Sequence, residues 1–420
     1  MSKLSNNRNE LKCVKAEDFC LSVRDGTHDS PKPVAKGFPL VTSKHLKSGQ
    51  IEIDSCYQVS EDDYYEIIKR SEVNQWDVLI SMIGTIGEVA LVQNQPHFAI
   101  KNVGLFKSRD EVDGKWLYYY LSTAFAQNYL REISRGTTQQ YVPLGSLREM
   151  PIYVFKDKSE MSRIVHILGT LDDKIENNHK MAKTLEAIAQ AIFKSWFVDF
   201  DPVRAKMAGE SPESICKRLK LTPEILGMFP DQLVDSELGK IPEGWGVSKI
   251  GDLAAISSGK RPKKRYEHPS DEIKIPLWGG NGPIGFVDEP LISSPCILTG
   301  RVGTLGTFFR VDSPCWPSDN TLIIRPKQEY NFEFIFLSLL NLDISSLNRG
   351  STQPLLTQSD LKKQLIMLPS FDVLEQFHYA TQLLYNHSHL ESLTLTKIRD
   401  LLLPKLMSGK IRVPVGDANE

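Results

Sequence analysis

The feature that most constrains this 420-residue chain is an internal duplication: four segments recur in the same order about 215 residues later. Met82-Ile83-Gly84-Thr85-Ile86-Gly87 matches Arg301-Val302-Gly303-Thr304-Leu305-Gly306, each G-T-x-G following an apolar, strand-like run. Lys101 to Phe106 matches Asp319 to Ile324, and an aromatic helical stretch follows each, WLYYYLSTAF from Trp116 and FEFIFLSLLN from Phe332. Arg135-Gly136-Thr137-Thr138-Gln139 differs from Arg349-Gly350-Ser351-Thr352-Gln353 by a Thr/Ser exchange. Finally, Asp157-Lys158-Ser159-Glu160 and Asp372-Val373-Leu374-Glu375 both set an Asp three residues before a Glu, the reciprocal pattern of a helix start. Each half is therefore expected to be a globular unit followed by a long helix.

Those helices can be tested by their period. Ile164, Leu168, Leu171, Ile175, Asn178, Ala182, Leu185, Ala189, Ile192 and Trp196 alternate by fours and threes, a heptad seam of the coiled-coil kind. Asn178 is either a polar residue that fixes register or a tolerated position at the seam edge. In the second helix Leu383, Leu390, Leu393, Ile398, Leu401 and Leu402 supply a less regular stripe before Pro404, expected to kink or end it, and Gly409, expected to close it. Some 40 residues of helix span about 60 Å, more than a small unit needs for its own core. The economical way to bury both stripes is mutual antiparallel packing; the plainer alternative is a helical linker between duplicated domains.

The fold class that follows is α/β (α+β): two similar globular units separated by two long antiparallel coiled-coil helices, with a pseudo-two-fold internal repeat. The expected boundaries are residues 1–156 for the first unit, 157–200 for the first long helix, 201–370 for a linker and the second unit, and 371–420 for the second long helix and tail. Thr222-Pro223-Glu224 reads as a short helix start within the linker.

Composition narrows the class. No apolar run approaches the ~18 residues of a membrane helix, and the polar start MSKLSNNRNE has no apolar signal core, so a cytoplasmic location is expected. The six cysteines form no C-x-x-C pair and are expected to be reduced thiols; neither a metal nor a cofactor is expected. A net charge of −2 gives no global sign of nucleic-acid binding, so such binding would have to come from patches. Lys260-Arg261-Pro262-Lys263-Lys264-Arg265 is one, with five cations in six positions.

Three further segments, taken with the duplication, carry a resemblance: Leu40-Val41-Thr42-Ser43-Lys44-His45-Leu46-Lys47-Ser48-Gly49, the stretch Leu238-Gly239-Lys240-Ile241-Pro242-Glu243-Gly244-Trp245, and the helix from Leu185 to Phe200. Over nearly its whole length the chain resembles the specificity subunit of type I restriction-modification systems. The resemblance implies two target-recognition domains alternating with two helical spacers, and a subunit that is not itself an enzyme. Its implied partners are double-stranded DNA, two modification (methyltransferase) subunits and, in the full complex, restriction (translocase/nuclease) subunits. Each recognition domain would read one half of a bipartite target. Because SVRDGTHDSPKPVAKGFP in the first unit and SSGKRPKKRYEHPSDEIKIPLWGGNG in the second are unlike, the two half-sites are expected to differ.

Phosphate contacts need cations, hydroxyls and free N–H groups, whereas base reading needs Arg, Lys, Asn or Gln on exposed loops. The repeated R-G-T/S-T-Q loops offer Arg135, Thr137, Thr138, Gln139 and Gln140, and Arg349, Ser351, Thr352 and Gln353; docking of the unit onto its helix is the alternative role. The half-specific segments add Lys44, His45 and Lys47 in the first unit, and Lys260, Arg261, Lys263, Lys264, Arg265, Asn281 and Arg301 in the second. The spacer seam candidates are Ile164, Leu168, Leu171, Ile175, Asn178, Leu185, Ile192, Trp196, Leu390, Ile398 and Leu402. The G-T-x-G segments lack the lysine of a P-loop and read as tight strand connections. Rival classes are a coiled-coil adaptor that binds proteins alone, and a metal-dependent nuclease built on Asp252, Glu272 and Lys274, a pattern that has no counterpart in the first half.

Overall fold

A computed structural model of the chain describes residues 11–47, 49–136, 140–267, 269–270, 272–303, 305–347, 350 and 354–413. They form two compact units: residues 1–178 with 391–420, and residues 179–390. Each long helix gives one half to each unit, α1 running from Lys158 to Phe197 and α2 from Phe371 to Met407.

The first unit is built on a four-stranded antiparallel sheet of β1 (Ser22–Asp25), β2 (Val78–Ser81), β3 (Val89–Leu91) and β4 (Val103–Lys107), ordered β1-β4-β2-β3. Successive side chains of a strand face opposite ways, and here both faces are covered. Val78, Ile80 and Phe106 join the helix Glu111–Leu121 through Trp116 and Leu117, while Leu79, Val103 and Leu105 pack on Val41, Phe98 and Ile100. That is why these strands read as continuous apolar runs.

The second unit repeats the plan. Its strands β5 (Ala254–Ser258), β6 (Cys296–Gly300), β7 (Phe308–Val311) and β8 (Thr321–Pro326) are ordered β5-β8-β6-β7. Ile297, Leu322 and Ile324 meet the helix Phe332–Leu340, and Leu298 and Ile323 meet Cys315 and Trp278 on the other face. A strand at the start of each unit also pairs antiparallel with the strand that leads into a long helix: Leu11–Lys15 with Pro151–Phe155, and Gly246–Lys249 with Leu365–Leu368. The duplication thus extends to strand order and pairing.

The long helices run antiparallel in both units. In the first, Asp172 meets Arg399 and Asn178 meets Glu391; in the second, Phe193, Trp196 and Phe197 all pack tilted or edge-on against Phe377. Ile164, Leu168, Ile175, Asn178 and Trp196 are buried, and Leu171, Leu185 and Ile192 are half-buried. The seam is not covered by helix alone, because Ile164 and Leu168 enter the globular core with Phe155, Leu406 and Met407.

Four details depart from expectation. Ile398 is 41% exposed and Leu401 64%, so the outward part of the α2 stripe is not a seam; Leu402 is half-buried on the first core, and the side chain of Leu390 lies outside the described set. Pro404 does not end α2. Proline forgoes its own hydrogen bond, but its carbonyl still accepts from Ser408 N, and burial of Leu406 and Met407 carries the helix on to Gly409, whose φ of +70° closes it. At the start of α1 the Asp157 carboxylate takes the Ser159 N–H at 2.9 Å, while Glu160, expected to reach back, is buried and pairs with Arg412 at 2.6 Å. Helix α2 begins at Phe371, which places Asp372 inside the first turn, where a carboxylate suits the positive end of the helix dipole. In the linker, Thr222 caps the helix Pro223–Gly227 as its sequence predicts, accepting from Ile225 N.

Candidate nucleic-acid interface

In each unit the same end of the sheet gathers the loops that differ and the loops that repeat. In the first, β1 and β2 end where β4 begins, with Asp25 opposite Gly104 and Ser81 opposite Val103. The G-T-I-G turn leaves β2 with Gly84 and Gly87 at φ of +79° and +91°, the left-handed region that favours glycine. Ser81 locks it, Oγ donating to Thr85 O and accepting from Glu88 N at 2.8 Å. The Arg135 loop is closed by mutual backbone bonds between Arg135 and Tyr141, both 2.8 Å, and held to this turn by Val142 N donating to Met82 O.

The second unit repeats this junction. Gly303 and Gly306 have φ of +88° and +91°, Gly303 N donates to Pro354 O, and Leu356 N donates to Arg301 O at 2.8 Å. In both halves, then, the G-T-x-G turn is stitched to the residues that leave the R-G-T/S-T-Q loop. Thr137, Thr138, Gln139, Arg349, Ser351, Thr352 and Gln353 lie outside the described residues; Arg135 and Gln140 are exposed.

The basic segment leaves β5 at the matching end. Lys260 N donates to Pro317 O and its carbonyl accepts from Trp316 Nε1 at 2.7 Å, while Tyr266 exchanges backbone bonds with Phe286. The loop is therefore pinned at both ends. Lys260, Arg261, Lys263, Lys264 and Arg265 are exposed, and among the described residues none has a carboxylate within 4.0 Å. Asn281 is exposed in the two-residue turn between Gly279 and Gly282, and Gly280 packs so closely on Gly300 that an added Cβ would lie 3.0 Å from the Gly300 Cα. Arg301 is half-buried beside it.

The first unit distributes charge differently. Asp25 takes an ion pair from Arg70 and a 3.0 Å contact from His28, whose other nitrogen meets Asn102 Oδ1 at 2.8 Å. Lys44 is exposed, and Lys47 pairs with Glu52 at 2.7 Å. His45, expected on the surface, is 2% exposed: its Nδ1 accepts from Thr42 N at 2.9 Å, and burial, helped by Lys44, pushes the imidazole pKa down. This histidine ties the turn together rather than facing a ligand. Its segment instead reaches the long helix, where Gln50 donates to Glu176 at 2.8 Å.

Sequence reasoning missed two groups. Lys101 and Asn102 border the same sheet end, a position the duplication had marked through Asn320. Tyr119 donates to Asp172 at 2.7 Å and so fixes the first unit to its helices; nothing local in the sequence announces that contact. Among the described residues no three His, Cys, Asp or Glu side chains converge as metal ligands, and no helix is long and apolar enough to cross a membrane.

A twice-built α+β unit on paired long helices, presenting variable loops over an invariant junction, defines a class of modular recognition protein. The family model described as the type I restriction modification DNA specificity domain matches twice, over residues 33–187 and 242–382, and the chain belongs to that family. It is 29% identical over 359 residues to the type I restriction enzyme HindI specificity subunit of Haemophilus influenzae, covering 71% of this chain and 77% of that one. It is 27% identical over 364 residues to the MjaIX specificity subunit of Methanocaldococcus jannaschii, covering 80% and 78%. The crystal structure of a type I restriction-modification S subunit from Mycoplasma genitalium shares the fold, with a TM-score of 0.51 and 18% identity over 96% of this chain and 97% of that one.

Proposed function

We propose that the chain is the non-catalytic DNA-reading subunit of a type I restriction-modification complex, each unit reading one half of a bipartite, asymmetric site. Residues 1–156 and 201–370 hold the two readers, and the long helices set the gap between half-sites and dock the modification subunits. The observation that carries this is the junction found twice, G-T-x-G turn to R-G-T/S-T-Q loop, with side chains beside it that differ between halves. A shared frame suits phosphate contact, which positions without discriminating; different neighbours suit base reading. Arg135, Gln140 and the Lys260–Arg265 loop are the phosphate contacts. Joining two short readings multiplies weak discriminations into one selective site.

The test is selection of double-stranded DNA from a random pool by the chain assembled with its modification subunits. Two short, unlike motifs at fixed separation are expected; recovery of DNA without sequence preference would overturn the reading and favour a protein adaptor. Cleavage or methyl transfer by the chain alone, given magnesium and a methyl donor, would overturn its non-catalytic part.

A further inference from the structure

We infer that Lys44 and Asn281 occupy the same place in the two units and read bases there with different hydrogen-bonding chemistry, Lys44 selecting guanine and Asn281 adenine. The inference rests on the DNA-reading function proposed above and names the residues that set part of its specificity.

Their equivalence follows from the strands that carry them. Lys44 follows the strand Phe38–Thr42, which pairs parallel with Ala99–Lys101; Asn281 follows Ile275–Gly279, which pairs parallel with Trp316–Pro317. Parallel pairs are rare in these units, and this one recurs at the same place in the order of strands. Each turn then meets a carbonyl of the duplicated asparagines. Ser43 Oγ donates to Asn102 O at 3.0 Å, and a Cβ on Gly280 would lie 3.6 Å from Asn320 O.

Within each turn one side chain is left to face outward. In the first unit Ser43 is bonded to Asn102 and His45 is buried, which leaves Lys44 exposed. In the second Gly280 has no side chain, and an added Cβ would press on the Gly300 Cα at 3.0 Å, which leaves Asn281 as the exposed side chain of the turn. Neither has a side-chain partner among the described residues. An ammonium offers donors alone and so matches guanine, whose O6 and N7 both accept in the major groove; a carboxamide offers a donor and an acceptor and so matches the N7 and N6 of adenine.

The experiment compares wild type, Lys44→Asn, Asn281→Lys and Asn281→Ala, each as the full chain with its modification subunits, by DNA selection from a random pool and by salt titration of the selected site. Asn281→Ala is expected to lose about tenfold discrimination at one base pair of one half-site, and Asn281→Lys to turn that position toward guanine. Lys44→Asn is expected to turn one position of the other half-site toward adenine. Motifs unchanged in all three variants would overturn the assignment while leaving the wider function intact. So would a Lys44→Asn protein whose motif stays fixed while its salt slope flattens by about one, the mark of a phosphate contact. A wild-type complex that selects no motif would bring down both.

Discussion

Asp172 of the first long helix and Arg399 of the second are joined by a 2.8 Å ion pair, and the same carboxylate accepts a hydrogen bond from Tyr119 of the globular unit. One carboxylate therefore fastens both helices to the body of the first unit. The aspartate raises the Arg399 pKa, and burial with the same aspartate raises that of Tyr119. Asp172→Ala is expected to cost about 1–2 kcal/mol, the cluster being partly exposed, and Tyr119→Phe about 1 kcal/mol. Urea denaturation measures both, and a Tyr119→Phe/Asp172→Ala double variant should lose less than the sum of the two. Strict additivity would show that Tyr119 and Asp172 do not act together.

The second unit has a more deeply buried counterpart. Glu333, 2% exposed, meets His378 at 2.7 Å and Arg310 at 3.0 Å, and the Arg310 guanidinium also lies over the Phe332 ring. Glu333→Gln keeps the shape and removes the charge, leaving the buried Arg310 guanidinium with Asp312, 2.9 Å from its Nε, as its remaining carboxylate. A loss of about 3 kcal/mol is expected, read by urea denaturation; a change below about 0.5 kcal/mol would mean that Asp312 satisfies Arg310 unaided.

For the basic loop the readout is ionic. Each phosphate contact adds about 0.9 to the slope of log affinity against log salt. Replacing Lys260, Arg261, Lys263, Lys264 and Arg265 by alanine should weaken DNA binding at low salt and flatten that slope by two or more (roughly half the cations engaged). Binding measured between 50 and 200 mM salt, roughly the range over which such contacts fade, decides it, and an unaltered slope removes the loop from the interface.

His45 gives the first unit a dependence on pH. Burial depresses its folded-state pKa below the ordinary value of about 6.5, so as pH falls through that value the unfolded chain takes up a proton that the native state resists. Stability from this site is full above pH ~6.5 and declines below it. His45→Asn retains an acceptor for Thr42 N and cannot titrate. Its melting temperature should fall less between pH 7.5 and 5.5 (about one unit either side of the ordinary pKa) than that of wild type, and equal falls would rule out His45 as the source.

Much of the architecture was written locally. The duplicated motifs foretold two units of one plan, the heptads foretold α1, and Thr222 and Gly409 marked a helix start and a helix end through cap chemistry that depends on near neighbours. What stayed hidden depends on distant partners. Glu160 looked like a capping residue until Arg412, some 250 residues later, supplied a stronger partner. His45 looked like a surface cation in a lysine-rich segment, because its burial is decided by how that segment folds over β2 and β3. Among the contact candidates, sequence singled out Asn281 and Lys44 separately; their equivalence needed the parallel strand pairs, which leave no periodic trace.

The core of the first unit includes Leu406 and Met407, close to the carboxyl terminus, whereas every residue of the second unit lies between positions 179 and 390. On the ribosome the order of completion is thus reversed. The unit translated first must wait, its apolar cleft unfilled, until Leu406 and Met407 emerge, while the inserted unit already has all its parts. A chain cut before Leu406 would therefore be damaged most in its amino-terminal unit.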